Sequence, residues 1–389
     1  MKKALMIASV ASMIDQFNMR NIALLEQMGY TVEVAANFVC GSNTSKQRVA
    51  DFQQELSSAG RKYHHVQIPR SIWKIHSILT AWKQVRQLCD ENRYDIIHCH
   101  SPIGGVIARL AARKLRKQGS KVIYTAHGFH FFRGAPVKNW LLFYPAEKLC
   151  ARMTDVLITI NREDYVLAKQ KLKAKKVVCI PGIGLDTQKF TPTGYDTRPL
   201  RRELGLGETD RVILSVGELS RRKNHAVILR ALAQLPQRNI KYVICGIGPE
   251  EEALRRLSES LGVSQQLLLL GYRRDIAQLL NLADIYAFPS LQEGLPVALM
   301  EAMAMGKAVI CSRIRGNTDL IAHGEGGFLA DPADVSAYAE AIAQLLSDDE
   351  LRRRMGSINR EKIRGFDRAV VDAQMDTIYR EISEKTDSI

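Results

Sequence analysis

Residues 285–313 read IYAFPSLQEGLPVALMEAMAMGKAVICSR, and they hold a complete structural unit in miniature. IYAFPS (285–290) is a short β-branched and aromatic run that reads as a strand. Pro296 suits the first turn of a helix and Gly306 its C-terminal cap, so the apolar run between them reads as a helix. AVICSR (308–313) is a second strand. Strand, helix and strand joined this closely belong to a parallel sheet with helices packed on its faces.

The same rhythm extends in both directions. Before the unit, strand-like runs fall at 4–9, 31–37, 63–68, 95–100, 121–127, 156–161 and 177–182, then at 212–217, 241–246 and 266–271. Stretches of helical period lie between them at 46–60, 74–92, 104–118, 162–171, 224–235 and 250–261, and another follows at 334–347. The alternation breaks once, at 182–210, where Gly, Pro, Thr and Asp dominate. The chain therefore reads as two doubly wound α/β domains of Rossmann type, 1–185 and 186–365, with a hinge in that stretch. Open α/β sheets bind ligands at the carboxyl ends of their strands, so one cleft lined by both sets of loops is expected.

At 389 residues, 46% hydrophobic and 25% charged, the composition is that of a globular protein. Nothing approaches the ~20 apolar residues of a membrane span. The opening MKKALMIASVASMIDQ has a short apolar run that gives way to Asp15, Gln16, Asn18 and Arg20. It reads as a strand and a loop, not a leader, and a cytoplasmic protein is expected. Seven scattered cysteines without a C-x-x-C pair fit neither a zinc knuckle nor a disulfide framework. The net charge of +14 calls for an acidic partner: nucleic acid, an anionic membrane or a phosphorylated small molecule.

Four places carry candidate chemistry. Glu293 and Glu301 flank the turn of Gly294, Leu295 and Pro296, where free backbone N–H groups of Gly294, Leu295 and the next residues make an anion site at a helix N-terminus suited to a diphosphate. Glu293 can reach hydroxyls beside such a phosphate. Glu301 lies within an apolar helix, where a carboxylate needs hydrogen bonds; a ribose diol would supply them, and so would a basic residue of a neighbouring helix. VGELSRRKNH (216–225) is a second strand end, placing Arg221, Arg222 and Lys223 either against that anion or simply in solvent. CGIGPE (245–250), with Gly246, is a third junction of the same kind. TAHGFHFFRGAP (125–136) puts His127 at a strand end before an aromatic loop, as a substrate contact or a satisfied core histidine. His98 and His100 have no accompanying carboxylate or cysteine cluster, so no metal site is expected.

Together the E-x7-E pair, VGELSRRK (216–223), HGF (127–129) and GFLADPADVSAYAEAI (327–342) resemble the retaining glycosyltransferases of family 4, along nearly the whole chain. HGFHFFRGAPVKNW (127–140) through TINREDY (159–165) is similar to bacterial enzymes that build exopolysaccharide, capsule or related surface glycans. The resemblance implies the GT-B fold, with two Rossmann-like domains facing across a cleft and 366–389 crossing back to the first. It also implies a nucleotide-sugar donor, a UDP-sugar above others. Glu301 would bind the ribose, and Glu293 with Gly294, Leu295 and Pro296 the sugar and phosphate. Lys223 would neutralise the diphosphate, Tyr272 and Arg273 would meet the base through their backbone, and His127 would contact the transferred sugar. No metal or other cofactor is implied.

Two departures stand out. Glu218 replaces the arginine usual in its turn, so Arg221 or Arg222 must supply that phosphate contact. ASMIDQFNMR (11–20) replaces the glycine-rich loop usual after the first strand. That makes Asp15 and Asn18, with His127 and Arg133, the acceptor-side candidates.

The expected activity is transfer of a hexose or N-acetylhexosamine, with retained configuration, to a glycan or polyprenyl-diphosphate-linked acceptor in surface polysaccharide synthesis. Trp73, Ile75, Ile78, Leu79 and Trp82, beside Lys74, Lys83 and Arg86, suit either core packing or peripheral contact with the inner membrane face. A sugar-nucleotide epimerase is the alternative within the fold. A nucleic-acid-binding protein is the alternative outside it, disfavoured because the basic residues are spread and no recognition module is present.

Overall fold

Buried apolar runs on both faces of nearly every strand account for the architecture. In the first strand Ala4, Leu5, Met6, Ile7 and Ala8 are all inaccessible to solvent, which only a sheet covered by helices on both sides allows. The computed structural model describes residues 2–42, 44–192 and 195–384. The expected domains and hinge also include Met1, Asn43, Thr193, Gly194 and 385–389, which lie outside the described residues. The chain divides into unit 1, Met1–Ile183 with Ala369–Ile389, and unit 2, Gly184–Arg368.

Among the described residues, unit 1 has a seven-stranded sheet. Its strands are β1 (Lys2–Val10), β2 (Tyr30–Asn37), β3 (Tyr63–His65), β4 (Ile96–His100), β5 (Lys121–Ala126), β6 (Val156–Thr159) and β7 (Lys176–Cys179), in the order β3-β2-β1-β4-β5-β6-β7. Unit 2 has six: β8 (Arg211–Val216), β9 (Ile240–Cys245), β10 (Leu267–Leu269), β11 (Ile285–Phe288), β12 (Ala308–Ser312) and β13 (Gly327–Ala330), in the order β10-β9-β8-β11-β12-β13. Every pairing is parallel. In both sheets the order reverses beside the first strand, between β1 and β4 and between β8 and β11. Those are the switch points where loops part and leave a crevice.

The opening unit is as read: β11 and β12 pair from Ile285↔Ala308 to Phe288↔Cys311, and the helix Val297–Ala304 crosses between them. Gly306 stands just past that helix with φ of 67°, the left-handed conformation its cap requires.

One expectation needs correcting. Residues 11–20 are not a loop: helices Ala11–Phe17 and Met19–Gln27 start directly from the end of β1. No glycine or proline stands between Val10 and Gly29, and Ala11, Ile14, Ile22 and Leu25 supply a buried face. β13 was hidden because it is short and opens on Gly327, where a Cβ would lie 2.0 Å from the Val309 carbonyl oxygen. Unit 2 opens at Gly184 and includes a helix at Arg198–Glu203.

The final helix, Arg368–Glu384, completes unit 1. It buries Val371, Met375, Ile378, Tyr379 and Ile382, and its Ser383 hydroxyl lies 2.8 Å from the Tyr30 hydroxyl. Tyr379 reaches the histidines of the sheet, described next.

Candidate functional site

In unit 2 the loops after β8, β11 and β12 meet at the switch point. Glu293, in the loop after β11, is the hub. One of its carboxylate oxygens accepts from Lys223 Nζ at 2.8 Å and from Arg222 at 2.8 Å. Two cations on one carboxylate leave local positive charge at the head of the helix Val297–Ala304, whose first amides lack intrahelical partners.

Backbone packing holds this arrangement. Leu291 donates its amide to the Arg222 carbonyl at 2.8 Å. Asn224, left-handed with φ of 54°, donates to the carbonyls of Pro289 and Pro332 at 3.1 and 2.9 Å. From the loop after β12, Arg315 donates to the Glu293 carbonyl at 3.0 Å. Beside it a Cβ on Gly316 would stand 2.2 Å from the Gly294 carbonyl oxygen, so only glycine allows the two loops this close.

Lys223 is almost buried, with its ammonium 4.5 Å above the Phe288 ring. Burial lowers its pKa, against the pull of Glu293. Glu301 lies one turn inside the helix. Its carboxylate has neither a hydrogen bond nor an ion pair among the described residues, so the partner on a neighbouring helix, the alternative left open above, is not found. Burial raises its pKa to about 7, and only the more distant charge of Lys189 opposes this. A desolvated carboxylate without a donor, one turn from an anion site, is poised to accept hydrogen bonds.

The third junction is tight for a backbone reason. A Cβ on Gly246 would fall 1.8 Å from the Gly217 carbonyl oxygen. Tyr272 is largely exposed, whereas the Arg273 guanidinium is committed to Asp275 and Glu203 at 2.6–2.8 Å, which leaves its backbone as the free element. Of the two arginines that follow Glu218, Arg221 points to Glu250 and is exposed, while Arg222 stands at Glu293, beside the helix N-terminus.

In unit 1, His127 follows β5. Its Nε2 lies 3.1 Å from Nδ1 of His100, whose Nε2 is 3.3 Å from the Met6 sulfur. His98, whose ring lies 4.2 Å from that of His100 and tilted to it, bonds the Tyr379 and Thr125 hydroxyls at 2.7 and 2.8 Å. Burial pushes the His98 pKa down to about 3, that of His127 to about 4, and that of His100 well below its usual value, so all three are neutral near pH 7.

Neutrality assigns the protons. A thioether only accepts, so His100 carries its proton on Nε2 and accepts at Nδ1 from His127 Nε2. His127 Nδ1 is thereby left as a hydrogen-bond acceptor, suited to a hydroxyl.

The other candidates on this side separate. Asn18, His100, His127, Arg20 and Asn21 line one small pocket. Asn18 is nonetheless buried and bonded to the Met13 carbonyl and to Asn21. Asp15 is held by Arg48, and Arg133 donates its amide to Glu163; neither lines that pocket. Arg315 and Gly316 escaped notice in the sequence because their role comes from the fit of two loops and not from a motif.

Comparison with known proteins identifies the family. Residues 7–161 match the family model "Glycosyl transferase 4-like", and residues 196–362 match "Glycosyl transferases group 1". The putative glycosyltransferase EpsD of Bacillus subtilis (strain 168) is 37% identical over 382 residues, covering 97% of this chain and 96% of that one. The Escherichia coli UDP-Gal:alpha-D-GlcNAc-diphosphoundecaprenol alpha-1,3-galactosyltransferase is 30% identical over 297 residues, 75% of each chain. Among solved structures, Anabaena Alr3699/HepE in complex with UDP-glucose superposes with a TM-score of 0.77 at 21% identity, covering 98% of this chain and 100% of that one. The fold is GT-B, and the chain belongs to the group 1 glycosyltransferases.

Proposed function

We propose that this glycosyltransferase moves a hexose or N-acetylhexosamine from a UDP-sugar, with retained anomeric configuration, to a lipid-linked or oligosaccharide acceptor of a bacterial surface polysaccharide. In this reading it works in the cytoplasm, at the inner membrane face. One observation carries it: Lys223 and Arg222 converge on Glu293 at a helix N-terminus, with the unpartnered Glu301 one turn away.

The diphosphate lies on the N–H groups of Gly294, Leu295 and Val297, where the two cations and the helix dipole offset the charge that grows on the leaving group. Glu301 accepts from the ribose diol. Glu293, already shared by two cations, is a weak nucleophile and holds sugar hydroxyls instead. His127 accepts from a hydroxyl through Nδ1. The E. coli relative, which uses a UDP-Gal donor and a GlcNAc-diphosphoundecaprenol acceptor, supports the choice of donor and acceptor class.

The test is turnover of a panel of UDP-sugars with and without polyprenyl-diphosphate-linked sugars. Acceptor-dependent release of UDP, lost in Lys223→Ala and Glu293→Ala, is the expected result. Full activity in both variants would refute the residue roles, and conversion of the donor alone would point to an epimerase.

A further inference from the structure

The loops that end β8, β9 and β11 each carry an acid, and their surroundings differ. Glu293, after β11, is shared by Lys223 and Arg222. Glu250, after β9, faces Arg221 at 3.4 Å. Glu218, after β8, is exposed, and its carboxylate has neither a hydrogen bond nor an ion pair among the described residues. Yet Arg221, Arg222 and Lys223 follow it in the same loop. A solvated acid on a surface turn is ordinary, but one left unpaired beside three cations of an anion site works against that site's charge.

The backbone holds Glu218 in this position. The Leu219 amide donates to the Ile247 carbonyl at 3.1 Å, and the Leu219 carbonyl accepts from the Glu250 amide at 3.0 Å. A Cβ on Gly248 would stand 2.3 Å from that same carbonyl oxygen, so the two loops are pinned together. Lys223 folds back on the chain just ahead of Glu218: a Cβ on Gly217 would lie 3.6 Å from its ammonium nitrogen. The ammonium itself is engaged with Glu293. Burial lowers the Lys223 pKa, and the Glu218 charge is near enough to push against that effect.

Transfer changes the charge that this acid meets. The anomeric carbon passes from the terminal phosphate oxygen of the donor to the acceptor's hydroxyl oxygen. The hydroxyl proton is released, and the phosphate oxygen keeps the bonding electron pair. Free UDP thus carries one more negative charge than the UDP-sugar, at the end of the diphosphate that Lys223 neutralises. A fixed negative charge beside that end repels product more than substrate. We propose that Glu218 is a specificity residue that biases the donor site against spent UDP and in favour of the UDP-sugar. The inference rests on the donor site proposed above and adds its discrimination between donor and product.

The test is calorimetric titration of the full chain at pH 8 with two probes, UDP and UDP methylated on its terminal phosphate. The methyl ester carries the donor's charge without any sugar, so the identity of the sugar does not enter. Glu218→Gln keeps the shape of the side chain and removes its charge. At low salt it is expected to tighten the ester about threefold and UDP about tenfold, the effect of one and of two charges on the terminal phosphate. Glu218→Lys reverses the charge, so the same factors become about tenfold and about a hundredfold. In 1 M NaCl, where screening acts within about 3 Å, the differences between the variants should fall below about twofold.

Equal factors for both probes would overturn the proposal, because a loop disturbed by the substitution moves both alike. So would unchanged affinities, a difference that survives 1 M NaCl, or weaker UDP binding in Glu218→Gln, which would make Glu218 a ligand of the nucleotide. Wild-type protein that binds neither probe would refute the donor site itself and this inference with it. Wild-type binding with an unaltered ratio in the variants refutes the inference alone.

Discussion

Replacing Glu301 with glutamine is expected to make unit 2 more stable and donor binding weaker, an opposition that few other roles for this residue produce. Burial raises the carboxyl from an ordinary 4.5 to about 7, which corresponds to about 3 kcal/mol of preference for the protonated form in the folded state. The native state therefore holds a proton that the unfolded chain has already lost between pH 4.5 and 7. Stability contributed by this group is highest below pH 4.5, declines through that window and is level above pH 7. Glutamine has no charge to desolvate, so Glu301→Gln should gain up to about 3 kcal/mol over wild type at pH 8 and almost nothing at pH 4.5. For a unit of this size that is a rise of roughly 6–12 °C in melting temperature at the higher pH. Hydrogen bonds from a ribose diol to a charged acceptor are worth about 1.5–3 kcal/mol, so UDP affinity at pH 8 should fall roughly 10- to 150-fold. Calorimetric melting at the two pH values and UDP titration at pH 8 measure both arms. Equal melting temperatures at pH 8 would refute the desolvated carboxylate, and unchanged UDP affinity would refute its role in holding the nucleotide.

Lys223→Ala should cost about 10²–10³ in kcat, because its ammonium is the buried cation nearest the leaving group; a steady-state assay with the active UDP-sugar measures this, and a change confined to KM would contradict it. Gly316→Ala forces a methyl against the Gly294 carbonyl and strains a backbone at φ of 77°, so it should cost about 1–3 kcal/mol and weaken UDP binding with it, as read by thermal shift with and without ligand. Glu147→Ala strands the fully buried Arg109 and should destabilise unit 1 by about 3–5 kcal/mol, measured by urea unfolding. Nitrogen NMR should find the His127 proton on Nε2 and no titration of that ring between pH 5.5 and 8; a proton on Nδ1 would contradict the chain of bonds that starts at Met6.

Much of this was open to reading before any coordinate. Parallel strands buried on both faces leave uninterrupted apolar runs, and the turns that end them must carry glycine, proline or charge, which is why the stretch around Glu293 and Glu301 identified its sheet. What stayed hidden depended on tertiary contact. Helix 11–17 has a buried face visible only once β1 is placed, and its polar Asp15 and Gln16, with Asn18 at its end, read locally as a loop. Helix 137–151 mixes apolar and polar residues on every side and contains Pro145, so no period betrays it. Arg315 and Gly316 act through the fit of two loops distant in sequence. The orientation of His127 is set by Met6 and His100 from two other strands, a relation that no local pattern encodes.

The central claim is that the turn between the two glutamates holds the donor's diphosphate. A crystal structure with a bound UDP-sugar tests it most directly. Phosphate oxygens are expected on the N–H groups of Gly294, Leu295 and Val297 and on Lys223, with the ribose hydroxyls on Glu301. A nucleotide seated elsewhere, or a diphosphate that leaves Lys223 on Glu293 alone and Glu301 unpartnered, would contradict it.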